Sequence, residues 1–331
     1  LFLYFVDDFT APTREIFMDT LNIAVIGECM VELQRQHNQI RQGFGGDTLN
    51  TAVYLARMMP AAQNHIHYIT ALGTDHFSDT MIATWDQEQV DTQLIQRLPT
   101  KLPGLYFIET DDQGERSFTY WRNDAAAKYW LESAQTETIL QQLLQMQVIY
   151  LSGISLAILS PASRQRLFDF LATFRQQGGQ VVFDNNYRPR LWASREETQT
   201  CYRTMLQLTD IAFLTLDDET ELWGEESVET VVQRTQQAGV HEIIVKRGSQ
   251  PCLIALPGQP WQEVPALKVP GNKVVDTTAA GDSFSAGYLS ARLQQHSAFD
   301  SARQGHLLAS TVIQYPGAII PQTAMPGPVV L

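Results

Sequence analysis

The chain has 331 residues, 44% of them hydrophobic, which is enough for one large α/β domain with an appendage or for two medium domains around a sizeable core. A formal net charge of -13 argues against tracking a nucleic-acid backbone or docking on an anionic membrane, so no nucleic acid or membrane partner is expected, and an anionic substrate would need specific arginines to reverse the local field. No apolar run approaches the roughly 18 residues of a membrane span, and the three scattered cysteines, Cys29, Cys201 and Cys252, form no C-x-x-C pair, which fits a reducing, cytoplasmic setting rather than a disulfide framework.

Residues 1–17 open on an apolar stretch, Leu1 to Val6, that is short, lacks a basic flank and runs into Asp7 and Asp8. They read as an N-terminal extension, disordered or a start-site artefact, ahead of a single domain spanning 18–325. Asn22 to Gly27 reads as a buried strand, Asp47 to Met59 as a helix and His65 to Leu72 as a second strand. Gly104 to Thr110 and Glu115 to Arg122 are β-rich, and Asp111-Asp112-Gln113-Gly114 between them supplies hairpin chemistry. From there strands at Val148–Leu151, Val181–Phe183, Ile211–Leu214 and Ile243–Val245 alternate with helical segments such as Pro161–Gln177 and Val228–Ala238. That alternation predicts an α/β fold with a mostly parallel central sheet, helices on both faces and ligands at the carboxyl ends of the strands. The stretches at about 28–44 and 104–122 break it. They form either a small inserted β lid or an ordinary edge hairpin.

Two small-residue clusters carry the chemistry. In Asp276-Thr277-Thr278-Ala279-Ala280-Gly281-Asp282-Ser283-Phe284, small residues lead into a helix predicted over Ser283–Leu293. Free N–H groups at a helix start bind anions, and Ala279, Ala280 and Gly281 let a phosphate approach them. A carboxylate there, Asp282, can accept a proton from an attacking hydroxyl; alternatively Asp282 or Ser283 is merely an N-cap. Gly43-Phe44-Gly45-Gly46-Asp47-Thr48-Leu49-Asn50 opens another helix. Gly45 and Gly46 would let a small polyol lie on the backbone while Asp47 and Asn50 bind its hydroxyls, or Asp47 is a plain cap. Neither cluster is a dinucleotide fingerprint or a P-loop.

Together and in this order, the two clusters resemble those of the ribokinase family of carbohydrate kinases, also called the phosphofructokinase-B family, over roughly residues 21–320. The resemblance implies a ribokinase-like fold, an ATP-dependent kinase of a small sugar with Mg²⁺, catalysis by Asp282, a monovalent cation such as K⁺ near Asp276, and a homodimer or a multiple of one. Ala279 departs from the family's usual glycine. Gly27-Glu28-Cys29-Met30, Leu105-Tyr106, Tyr120-Trp121-Arg122 and Asp184-Asn185-Asn186-Tyr187-Arg188 resemble family members that act on a 2-keto-3-deoxy sugar acid. A forked guanidinium suits a carboxylate, which points to Arg122 and Arg188, with Tyr106 and Tyr120 closing over the sugar. The same resemblance assigns Asn186, Arg188 and Lys246-Arg247-Gly248-Ser249 to the nucleotide. Glu219 takes a provisional Mg²⁺ role through water, because Leu216 stands where the family has the asparagine of an asparagine-x-x-glutamate motif. Rival readings are a fructokinase-like enzyme of the same fold and a non-catalytic nucleotide-binding regulator. His65-x-His67 is too small a set for a metal site, and Trp85, Trp192 and Trp223 read as packing residues.

Overall fold

Runs of aliphatic and β-branched residues too short for helices, separated by amphipathic segments, assemble into a nine-stranded sheet in which Leu21–Ile26 is an interior strand. The structure is a computed structural model, and it describes residues 20–36, 39–60, 64–110, 116–225, 227–269, 271 and 273–327. The 1–17 extension and the 111–114 turn lie outside the described residues.

On one side of Leu21–Ile26 lie, in order, Val148–Ser152, Gln180–Asp184, Ile211–Thr215 and Glu242–Lys246, all parallel. Cys252–Ala255 and Gln262–Val264 then close that edge with antiparallel pairings. On the other side Asn64–Ile69 and the short Val90–Asp91 continue the parallel run. Alternate residues feed two cores: Ala24 and Ile26 face one, Ile23 and Val25 the other. A sheet buried on both faces needs near-continuous apolar strands, and all five residues of Val148–Ser152 are buried. The sheet is therefore the expected one, mostly parallel with helices on both faces. The segment read as one strand, His65–Leu72, divides instead: Asn64–Ile69 joins the main sheet, and Ala71–Leu72 turns away to pair with Gln96–Arg97.

The two irregular stretches form a separate four-stranded sheet in the order Gln39–Gly45, Met30–Gln36, Leu105–Thr110, Arg116–Trp121. Its central pairing, Met30–Gln36 with Leu105–Thr110, is parallel and joins segments distant in sequence, which an edge hairpin would not do. This is the inserted lid. It springs directly from the carboxyl end of Leu21–Ile26, its first strand starting three residues beyond Gly27. Two helices complete the crevice below it, Asp47–Met58 and Ala280–Leu293. Among the described residues no helix is long and apolar enough to cross a membrane.

Candidate active site

The parallel strands all end at one edge, so the register collects Ser152, Asp184, Thr215 and Lys246 there, along with Glu28 just past Leu21–Ile26. The two small-residue helix starts meet at this edge. Asn50 Nδ2 donates to Asp282 Oδ2 at 2.8 Å across 232 residues of sequence. From the other side Asn186 Nδ2 donates to Asp47 Oδ2 at 2.5 Å. Asn186 holds φ at 25°, a left-handed conformation that asparagine tolerates better than most residues, which lets it turn back over the crevice.

Asp282 occupies the third position of its helix, whose N-cap is Ala279. The capping alternative for Asp282 and Ser283 is thus replaced: Ala279, at φ 59° and ψ 16°, makes the turn into the helix with backbone alone. Ala280 N–H is used inside the turn, donating to Thr277 O at 3.1 Å. Among the described residues the N–H groups of Gly281 and Asp282 have no acceptor, the open donors that a helix start can offer to an anion. Asp282 lies half-buried at the floor of the crevice. Its pKa is raised from 3.8 to about 7, first by desolvation and next by the negative charge of Asp47, with the Asn50 hydrogen bond and the Lys246 charge acting in the opposite direction. A carboxyl poised near neutral pH is suited to accept a proton during turnover.

Lys246 is the last residue of its strand and is buried, not displayed on a loop. Its Nζ donates to Asp184 Oδ2 at 2.7 Å and lies 3.4 Å from Ser285 Oγ, which itself donates to Asp184 at 2.8 Å. A Cβ added to Gly281 would stand 3.5 Å from Lys246 Nζ, which puts the ammonium beside the turn that opens this helix. Arg247 is turned outward, donating to Pro251 O and pairing with Glu263. Gly248 takes φ 59° in the turn that follows, and Ser249 is exposed there.

Glu219 is buried with both oxygens engaged, one by Asn185 Nδ2 at 2.9 Å and the other by Arg234 at 2.6 Å. Among the described residues no three histidine, cysteine or carboxylate side chains form a metal-sized group. Asp276 accepts from Thr278 N–H and hydroxyl through one oxygen and from Gly317 N–H through the other.

On the lid side, Arg122 forms an ion pair with Glu28, donating from Nη2 to Oε2. Arg188 is half-exposed at the crevice mouth, 3.6 Å from Asp218, with Nη1 donating to Tyr187 O. Tyr106 donates its hydroxyl to Glu32, and its ring lies 5.9 Å from that of Tyr120. A Cβ on Gly45 would fall 2.0 Å from the Tyr106 oxygen. The structure thus gathers Gly45, Gly46, Asp47, Asn50, Asn186, Lys246 and Asp282 in one crevice with the lid residues Tyr106 and Arg122 at its rim, and leaves Arg247 and Ser249 on its outer side.

Sequence reading gave no role to Glu28, Glu32, Asn185 or Ser285. The available signal for Glu28 was its position, a charge immediately after a buried strand at the carboxyl edge of a parallel sheet. His65 and His67 stay apart from this site, with His67 between Asn22 and Asp91. Trp85 is buried against Tyr68, and Trp192 and Trp223 pack against Tyr202 and arginine side chains, as packing residues should.

The model of the pfkB family of carbohydrate kinases matches residues 19–325. The 2-dehydro-3-deoxygluconokinase of Dickeya dadantii is 63% identical over 310 residues, covering 94% of this chain and all of that protein. The enzyme of the same name from Escherichia coli K12 is 61% identical, covering 92% and 99% of the two chains. In structure, a fructokinase with bound ATP from Xylella fastidiosa superposes with a TM-score of 0.77 over 92% of this chain and 95% of that one, at 24% identity, a likeness of fold.

Proposed function

This chain belongs to the pfkB family of carbohydrate kinases, and we propose that it transfers the γ-phosphoryl group of ATP to the terminal hydroxyl of 2-keto-3-deoxygluconate, giving 2-keto-3-deoxy-6-phosphogluconate and ADP. The contact that carries the reading is Asn50 to Asp282, which places a carboxyl of near-neutral pKa against the helix start that holds the sugar.

The sugar lies on Gly45 and Gly46, its hydroxyls within reach of Asp47 and Asn50, and Tyr106 and Tyr120 cover it from the lid. Arg122 and Arg188 take the carboxylate end, where a guanidinium fork gives both charge and orientation. Asp282 removes the proton of the terminal hydroxyl as that oxygen attacks phosphorus and the bond to the ADP oxygen breaks. The Gly281 and Asp282 N–H groups point at the charge that develops on the transferred group, and Lys246 adds a buried positive charge beneath them. Asn186, Arg188 and the turn Arg247-Gly248-Ser249 are assigned to the nucleotide. Glu219 would hold Mg²⁺ through water, where the ion would supply charge neutralisation to the phosphates, and Asp276 is the candidate neighbour of a monovalent cation such as K⁺. Closure of the lid excludes water and limits futile ATP hydrolysis.

Exposed Ile40, Phe118 and Trp121 on the lid support a homodimer through that sheet, and three free cysteines support a reducing, cytoplasmic setting. The test of the function is ADP release with Mg-ATP against 2-keto-3-deoxygluconate, gluconate, fructose, ribose and adenosine. A clear preference for the first is the expected result. Preference for a neutral sugar would keep Asp282 as the base and remove the arginine clamp.

A further inference from the structure

We propose that Glu28 is the positioning residue of the carboxylate clamp, holding the lid's Arg122 in the orientation that receives the sugar acid; this rests on the function proposed above. Glu28 follows Leu21–Ile26, an interior strand of the main sheet, whereas Arg122 follows the last strand of the lid. Their ion pair is a side-chain tie between the two bodies at the sugar end of the crevice. Glu28 is 2% exposed, and the Arg122 side chain 11%. Among the described residues Glu28 is the sole side chain to which Arg122 donates, and it is met through Nη2 alone. The remaining guanidinium donors are left for a planar, bidentate anion such as a carboxylate.

Two details separate this role from plain stabilisation. The second oxygen, Oε1, is buried without a hydrogen-bond partner among the described residues. A half-satisfied buried carboxylate costs stability that an apolar residue would not, so the pair is poorly explained as a stabilising device. The surroundings are also built around it. A Cβ on Gly104 would come 2.7 Å from Glu28 Oε1 and 3.1 Å from Arg122 Cβ, and one on Gly46 would come 2.2 Å from the Glu28 carbonyl oxygen. Glu28 thus abuts the sugar-helix start with its backbone and grips the lid arginine with its side chain.

The experiment compares wild type, Glu28→Gln, Arg122→Ala and the double variant, measuring kcat and both KM values against 2-keto-3-deoxygluconate and fructose. Glu28→Gln keeps the shape and removes the charge. It should raise KM for the sugar acid roughly 10- to 100-fold, the scale of one charge-assisted hydrogen bond, while kcat and KM for ATP stay within about threefold. In the Arg122→Ala background the same substitution should add less than about threefold, because a residue that acts through Arg122 has nothing left to position. An unchanged sugar-acid KM in Glu28→Gln would overturn the proposal, as would an equal penalty with and without Arg122 or an equal loss on ATP. If Glu28→Gln does not fold, Glu28→Asp keeps the charge but retracts it, and an unchanged sugar-acid KM there is equally fatal. Wild-type enzyme that prefers fructose would sink the sugar-acid reading and this role with it. A wild type that prefers the acid, with a silent Glu28→Gln, sinks the Glu28 role alone.

Discussion

The two helix starts that meet in the crevice look alike in sequence and differ in what their small residues are for. At the sugar-side helix, Gly46 has φ 179°, extended backbone that any residue adopts, so its need is for space: a Cβ would fall 2.2 Å from Glu28 O and 3.1 Å from Cys29 Cα. At the phosphate-side helix, the corresponding cap is Ala279 at φ 59°, where the need is for a left-handed turn, and a Cβ is already present. The first start is built by close approach and the second by conformation. A glycine in a motif therefore has no single meaning until its φ and its neighbours are known. In the proposed reaction the sugar side would serve as a tight, fixed shelf, and the phosphate side would aim N–H groups and a base.

The largest effect should come from removing the base. Asp282→Asn is expected to lower kcat by about 10²–10⁴-fold with the sugar-acid KM retained, read by steady-state kinetics. Near-normal kcat would reduce the phosphate-side start to an anion site. The raised pKa gives the same variant a second readout. In the folded protein the proton is held up to about pH 7, whereas the reference carboxyl loses it near 3.8. Stability from this group is therefore fully present below that lower value and is lost as pH rises through about 7. Asp282→Asn should accordingly raise the melting temperature at pH 8 and leave it nearly unchanged at pH 4. For wild type, kcat/KM should fall below about pH 7 as Asp282 takes up its proton, and a flat profile from pH 5 to 8 would remove Asp282 as the titrating base.

Gly46→Ala should come next. Backbone atoms of Glu28 and Cys29 cannot rotate away as a side-chain end can, so the helix start has to shift. Overpacking of this kind costs about 1–3 kcal/mol, and the shift carries Asp47 and Asn50 with it. Chemical denaturation and the sugar-acid KM should both register the change, with KM for ATP little affected. A silent substitution would mean that the shelf is more compliant than its contacts imply.

How much of this was legible in the sequence divides along the same line. The parallel strands were readable because burial on both faces forces continuous apolar runs, as at Ile211–Leu214. The lid order was not, since pairing of Met30–Gln36 with Leu105–Thr110 depends on contacts distant in the chain. Short edge elements such as Cys252–Ala255 and Gln262–Val264 carry too little periodicity to stand out. In the site, Asp282 and Asn50 stood out only because the two small-residue clusters occur together and in the order that resembles the family, since each cluster alone also reads as an ordinary capped helix start. The burial of Lys246 was not, because a Lys-Arg-Gly-Ser turn reads the same whether its lysine points outward or folds under the phosphate loop. Nor could spacing say which N–H groups remain free. That depends on Thr277 O taking the Ala280 N–H, a detail of one turn.

The smallest prediction tests the conformational half of the comparison. Ala279 sits in the left-handed region, which costs an L-residue roughly 1–2 kcal/mol. Glycine would remove that strain but loses more backbone entropy on folding, a penalty of about 0.5–1 kcal/mol. The balance leaves Ala279→Gly stabilising by about 0.5–1 kcal/mol, measurable as a shift in denaturant midpoint at constant slope. Activity should change little, because the Gly281 and Asp282 N–H groups are positioned by the helix and not by the Ala279 side chain. Destabilisation by the same amount would mean that the Ala279 methyl makes compensating contacts, and the turn would then be held by packing, like the shelf opposite it.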